Sequence, residues 1–350
     1  MQKSTISIGI ISMFSLFTPL AFGQTAVEEC VLQQFKSGNG NLTLTEIREI
    51  CEEAAPDADG EDNSDADDSE FALIENTIET PGVITKRMFK ESRSQFDPYV
   101  ITPHKMNYVL PIMATNKINK DAYTSLEGFE ENLENIEAKF QLSLKVPLSY
   151  DSMLIEGDGL YMGFTLEAWW QVYAENISKP FRETNYQPEI FYLAPMNWHP
   201  FEGNTGLAIG IEHQSNGRGQ ILSRSWNRVY ANFLYEKDNF ALSFKPWLRI
   251  AEDAKESEFD PDGDDNPDIA DYMGNFELGM VYQWRDYELS FKGRRNFSTN
   301  YGAAEIGLTF PLWGKLRGYA TAFSGYGESL IDYDHKQTRV GLGIALNNVL

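Results

Sequence analysis

Residues 207–233 read LAIGIEHQSNGRGQILSRSWNRVYANF, and two runs of alternation within them decide how the chain folds. In the first, Leu207, Ile209 and Ile211 share one parity while Ala208, Gly210 and Glu212 take the other. In the second, Val229, Ala231 and Phe233 alternate with Arg228, Tyr230 and Asn232. A period of two belongs to a strand, whose successive side chains point to opposite faces. The glycines and polar residues between the runs are turn formers, so the segment predicts an antiparallel hairpin centred near Gln220. His213 and Ser215 continue the aliphatic row of the first strand, and Asn227 continues the less polar row of the second. That centring sets His213 opposite Asn227, where directly paired Cβ atoms lie about 5 Å apart.

The same alternation recurs along the chain: FQLSLKV (140–146), FALSFKPW (240–247), FELGMVYQW (276–284), AEIGLTFPL (304–312) and RVGLGIAL (339–346). A soluble β-sandwich or barrel and a membrane barrel both fit this pattern. They differ in whether the apolar face looks inward or toward lipid. Glu, Lys, Arg and Gln on the polar rows leave apolar bulk for one side only, which favours the membrane. Aromatics make up 13% of the chain. Trp169, Trp170, Trp247, Trp284 and Trp313 stand near predicted strand ends, as an interfacial girdle would. Long polar connections such as EDAKESEFDPDGDDNPDIADY (252–272) suit extracellular loops.

The start of the chain agrees with export. Lys3 precedes an apolar stretch and then small residues, the pattern of a signal peptide over 1–23. Past it, no apolar run reaches the roughly 20 residues that a spanning helix needs. Residues 24–87 form an acidic extension whose segment 52–70 contains no Lys or Arg and is expected to be disordered. Cys30 and Cys51, the two cysteines of the chain, are candidates for a disulfide there. The β domain is expected over 88–350. A net charge of −23 excludes nucleic acid as a partner, since binding phosphates requires Lys and Arg.

His213, Ser215 and Asn227 together supply a base, a nucleophile and an orienter for acyl transfer. A serine hydroxyl attacks poorly at neutral pH unless a base removes its proton as the bond forms. A carboxamide can fix the imidazole without carrying charge, which matters where an ionised Asp would be desolvated by lipid. The other histidines, His104, His199 and His335, have no partner at useful spacing and are expected at the surface or membrane interface. Lys292, Arg294 and Arg295 suit either lipopolysaccharide phosphates or the lumen.

HQSNGRGQILSRSWNR (213–228) resembles the signature of bacterial outer-membrane phospholipase A. The likeness extends to PFRETNYQPEIF (180–191), DDNPDIADYMG (264–274), NYGAAEIGL (300–308) and YGESLIDYDHKQTRVG (326–341), covering roughly 88–350. It implies an all-β, antiparallel transmembrane barrel of twelve strands. It also implies a Ca²⁺-dependent serine hydrolase of glycerophospholipid sn-1 and sn-2 esters and of lysophospholipids, activated by homodimerisation. By motif, Ser215 is the nucleophile, His213 the base, Asn227 the orienter and the Gly217 N–H an oxyanion donor. The implied calcium ligands are the Arg218 carbonyl, the Ser223 hydroxyl, Asp265 and Ser178 of the partner subunit. The sequence departs from the family at Gln220, where an acidic residue is expected, at Leu166, where a dimer-interface Gln is expected, and at the final Leu350, where an aromatic is. A passive porin and a calcium-stabilised adhesin are the competing readings. The first predicts a wide polar lumen, the second calcium-dependent binding that survives loss of Ser215.

Overall fold

The structure is a computed structural model describing Gly82 and residues 101–149, 152–257, 260, 263–314 and 316–347. The expectations for the signal peptide, the acidic extension, the Cys30–Cys51 bridge, the domain start at Met88 and the terminal Leu350 fall outside the described residues.

The described residues form thirteen strands: β1 (Thr102–Pro103), β2 (Tyr108–Thr115), β3 (Ile136–Pro147), β4 (Gly159–Trp170), β5 (Phe181–Met196), β6 (Asn204–Ser215), β7 (Ser225–Lys237), β8 (Phe240–Ile250), β9 (Phe276–Trp284), β10 (Tyr287–Arg295), β11 (Gly302–Trp313), β12 (Leu316–Gly325) and β13 (Gln337–Ala345). From β2 to β13 each strand pairs antiparallel with its sequence neighbours, and β13 pairs with β2 to close a twelve-stranded barrel. The short β1 adds two pairs to the end of β3. Closure leaves no open edge, which a bilayer would penalise heavily. Among the described residues no helix is long and apolar enough to cross a membrane.

Polarity is inverted relative to a soluble barrel. Outward residues include Ile209, Ile211, Val229 and Phe233, with Ile211 58% exposed. The intervening Ala208, Glu212, Trp226, Arg228 and Tyr230 are buried inside. Glu212 accepts from Lys245 at 2.9 Å and Gln187 at 2.7 Å, and pairs with Arg228 at 2.5 Å. The expected tryptophan girdle is only partly present. Trp170, Trp284 and Trp313 face outward, but Trp169 and Trp247 are 0% and 5% exposed. Pleating explains the difference: Trp169 and Trp170 are adjacent in β4 and must leave on opposite faces. Trp247 points inward and meets Trp226 edge to face at 6.1 Å, beneath the Arg228 guanidinium.

One rim is made mostly of short turns. Residues 238–239 and 285–286 link consecutive strands, with Asp238 and Arg285 at φ of 52° and 55°. Such positive values match the twist of two-residue hairpins. The opposite rim carries the long connections, including 116–135, 216–224, 251–275 and 326–336. A short helix α1 (Ile269–Met273) lies in one of them. Ile118, Tyr123, Leu133, Leu222 and Ile331 from these loops pack into one apolar cluster.

Under this rim lies a buried ionic network. Glu137 accepts from Arg182 Nε and Nη2, both at 3.0 Å, from Arg339, and from Gln171 at 2.8 Å. Arg182 also reaches Asp332 at 3.1 Å; Arg339 and Lys139 reach Glu328 at 2.9 and 3.0 Å. Further along the lumen is a cavity of about 460 Å³, lined among others by Lys292 and Arg294. Those two cations therefore face the interior, whereas Arg295 bonds Asn300 at 2.8 Å. His104 also departs from expectation. It lies inside, bonded to Glu189 at 2.8 Å and stacked on Phe191 at 5.0 Å.

Candidate active site

Strands β6 and β7 pair without interruption from Asn204↔Glu236 to Ser215↔Ser225, so His213 faces Asn227 directly. All three candidate residues lie on the outer wall near the long-loop rim. The His213 Nδ1–H donates to Asn227 Oδ1 at 2.8 Å. This leaves Nε2 without the proton and able to act as a base. Ser215 follows two positions later on the same face, between Tyr186 of β5 and Ser225 of β7. Its hydroxyl makes no hydrogen bond among the described residues, to His213 or to any other group.

The chain then turns over 216–224, and a side chain that sequence reasoning passed over holds this turn. Asn216 is buried, and its Oδ1 accepts the N–H groups of Arg218 and Arg224 at 3.2 and 3.0 Å. Its amide donates to the Leu222 carbonyl at 2.8 Å. The sequence signal was present as an Asn at the mouth of a Gly-rich turn, where such side chains bridge backbone groups. Gly217 has φ 64°, and a Cβ there would sit 3.1 Å from the Tyr186 ring. Both facts call for glycine. The Gly217 N–H has no acceptor among the described residues, so it is available to a developing oxyanion.

The candidate calcium ligands come from three loops. Ser223 Oγ donates to Asp265 Oδ2 at 2.6 Å, joining the 216–224 and 251–275 connections. Asn266 reinforces the join by accepting the Ser225 N–H at 3.0 Å. The Arg218 side chain is anchored on the Phe181 and Arg182 carbonyls at 3.2 and 2.7 Å. Ser178 sits in the left-handed region at φ 57° and makes no hydrogen bond with Ser223 or Asp265 of its own chain. These are hard oxygen donors suited to Ca²⁺. The Lys255 ammonium rests on Asp265 Oδ1, so the carboxylate already attracts a cation. The residues present fit the ion.

One polar neighbour had no sequence signal. Glu252 Oε1 accepts from Asn227 Nδ2 at 2.7 Å. Among the departures, Leu166 lies on the outer side between Leu142 and Tyr186 in register.

The chain is similar to known proteins over most of this barrel. The sequence profile of the family Phospholipase A1 matches residues 84–346. Phospholipase A1 of Escherichia coli (strain K12) is 38% identical over 280 residues, covering 79% of this chain and 92% of that protein. The structure of outer membrane phospholipase A from Escherichia coli superposes with a TM-score of 0.67 at 39% identity, covering 73% of this chain and 94% of that one. The Salmonella typhi outer membrane phospholipase dimer with bound calcium gives 0.67 at 38% identity, covering 74% and 98%.

Proposed function

The chain belongs to the phospholipase A1 family of outer-membrane barrels, and from that premise we propose that Ser215, His213 and Asn227 form its catalytic triad. The observation that carries the reading is the 2.8 Å bond between His213 and Asn227 on a wall made mostly of aliphatic and aromatic side chains. A polar pair facing lipid is costly unless it has work to do.

In the first half-reaction His213 Nε2 takes the Ser215 proton as Oγ bonds to the ester carbonyl carbon. Asn227 holds the ring through Nδ1–H while positive charge develops on it. The Gly217 N–H donates to the carbonyl oxygen as it becomes an oxyanion. His213 then returns the proton to the departing glycerol oxygen, and the C–O ester bond breaks. Water repeats the sequence on the acyl-serine, releasing fatty acid and free Ser215. Arg218, Ser223, Asp265 and Ser178 of the partner subunit would hold calcium, which when bound would supply Lewis-acid stabilisation of the negative charge that develops on the ester oxygen. The calcium-bound dimer of the Salmonella typhi relative supports calcium as the ion and a homodimer as the assembly. A ligand set divided between subunits makes metal binding and pairing reinforce each other. Substrates are the sn-1 and sn-2 esters of membrane glycerophospholipids and of lysophospholipids.

The test is fatty-acid release from phospholipid by detergent-purified protein, with Ca²⁺ and with chelator, for wild type and Ser215→Ala. Release should require both calcium and Ser215. Full release by Ser215→Ala would remove the triad from consideration.

A further inference from the structure

We infer that Glu252 is a positioning residue that fixes the orientation of Asn227 and thereby the tautomer of His213. The inference rests on the triad proposed above and extends it by a fourth member. Asn227 occupies a decisive place because its side chain has two chemically opposite ends. Oδ1 can only accept a hydrogen bond and Nδ2 can only donate. A half-turn about χ2 would present Nδ2 to the ring. Nδ1 would then have to accept, the proton would move to Nε2, and Ser215 would face an N–H instead of a base.

The strands alone do not decide between these two orientations, since both fit the same space. Glu252 breaks the symmetry. Ile250 is the β8 residue in register with Asn227, and Glu252 follows two positions later, just past the strand end. Its Oε1 accepts from Asn227 Nδ2 at 2.7 Å while Oδ1 receives the ring N–H at 2.8 Å. A carboxylate has no proton to offer, so it can face only the amino end of the carboxamide. The flipped orientation would set Asn227 Oδ1 against the carboxylate, oxygen to oxygen.

The arrangement also supplies charge at a distance. The imidazolium formed during catalysis gains from a negative group, yet a carboxylate directly against the ring would lie on the apolar wall. Glu252 stands beyond the strand, half-buried at the loop rim, and acts through the amide dipole.

Steady-state kinetics on the calcium-loaded enzyme in mixed micelles test this. Glu252→Ala should lower kcat about 30-fold with KM unchanged: about twofold from the amide populating both orientations, and the rest from losing the charge-assisted hydrogen bond that favours the developing imidazolium. Glu252→Gln keeps an acceptor for Asn227 Nδ2 and should recover all but about threefold of that loss. In an Asn227→Ala background, adding Glu252→Ala should change kcat less than about twofold, because the residue acts only through the amide. Wild-type kcat in Glu252→Ala, or an undiminished loss in the Asn227→Ala background, overturns the inference. Ser215→Ala run in parallel separates the two claims. If it is inactive while Glu252→Ala is unaffected, the triad stands and the fourth member falls.

Discussion

Replacing Glu137 by Leu should destabilise the barrel more than any single outward substitution. Glu137 is fully buried and accepts hydrogen bonds from Arg182, Arg339 and Gln171. Three cations, Arg182, Arg339 and Lys139, are met there by the buried anions Glu137, Glu328 and Asp332 and by Glu167, which Lys139 reaches at 3.3 Å. Burial alone would raise the pKa of Asp332, but the Arg182 guanidinium outweighs it and holds the carboxyl below its ordinary value. Deleting Glu137 takes from Arg182 and Arg339 the carboxylate they share, leaving each buried guanidinium with one carboxylate partner, Asp332 and Glu328 respectively. Breaking a buried pair on one side costs about 3–5 kcal/mol, because the remaining charge is stranded. With a urea slope of about 3 kcal/mol per molar, the unfolding midpoint should fall by about 1–1.7 M. Urea titration in detergent micelles, followed by tryptophan fluorescence, measures this; Trp169 and Trp226 are wholly buried and report on the interior. The double variant Glu137→Leu/Arg339→Leu should be less destabilised than the sum of its singles by at least about 1 kcal/mol, since one stranded charge is removed. A single-variant loss below about 1 kcal/mol, or strict additivity, would refute the argument.

The cation on Asp265 gives a second expectation. Lys255→Met removes the tethered ammonium, and if that group occupies the carboxylate about nine-tenths of the time, calcium affinity should rise about tenfold. Isothermal titration with Ca²⁺ reads this directly, and unchanged affinity counts against competition. A third concerns the 148–158 connection at the short-turn rim. Desolvation pushes Asp158 up, but the Tyr192 hydroxyl and the N–H groups of Ile155, Met153 and Leu154 outweigh it and lower its pKa to about 2. A depressed carboxyl pKa stabilises the turn above the unfolded value of 3.8 and ceases to do so as pH falls through about 2. Pepsin should therefore spare this turn at pH 4 and cut it near pH 2, while Asp158→Asn should be cut at both. Equal resistance of wild type and variant would sink the idea.

The barrel was legible because its exterior is written in a local code. FELGMVYQW coincides with β9 residue for residue, and the parity of Leu207, Ile209 and Ile211 named the lipid side of β6. The His213–Asn227 pairing was also readable, since a hairpin's register follows from its turn. Contacts closed over long separations were not. His104 reaches Glu189 across 85 residues, and Arg339 reaches Glu137 across 202. No periodicity encodes which inward side chains will meet once the ring shuts. Trp169 and Trp247 misled because residue type suggested a girdle while pleat position sent them inward. Glu252 left no trace for a related reason. It follows the last residue of β8, where alternation ends and loop geometry takes over.

The outward placement of His213 and Asn227 changes what concentration means for this protein. With the proposed triad there, its reactant would arrive by lateral diffusion along a sheet of lipid, so the quantity that sets occupancy would be mole fraction in the interface, not amount per litre. Inert detergent should slow turnover by surface dilution even when bulk substrate is held constant. Cleaved chains depart sideways through the same plane.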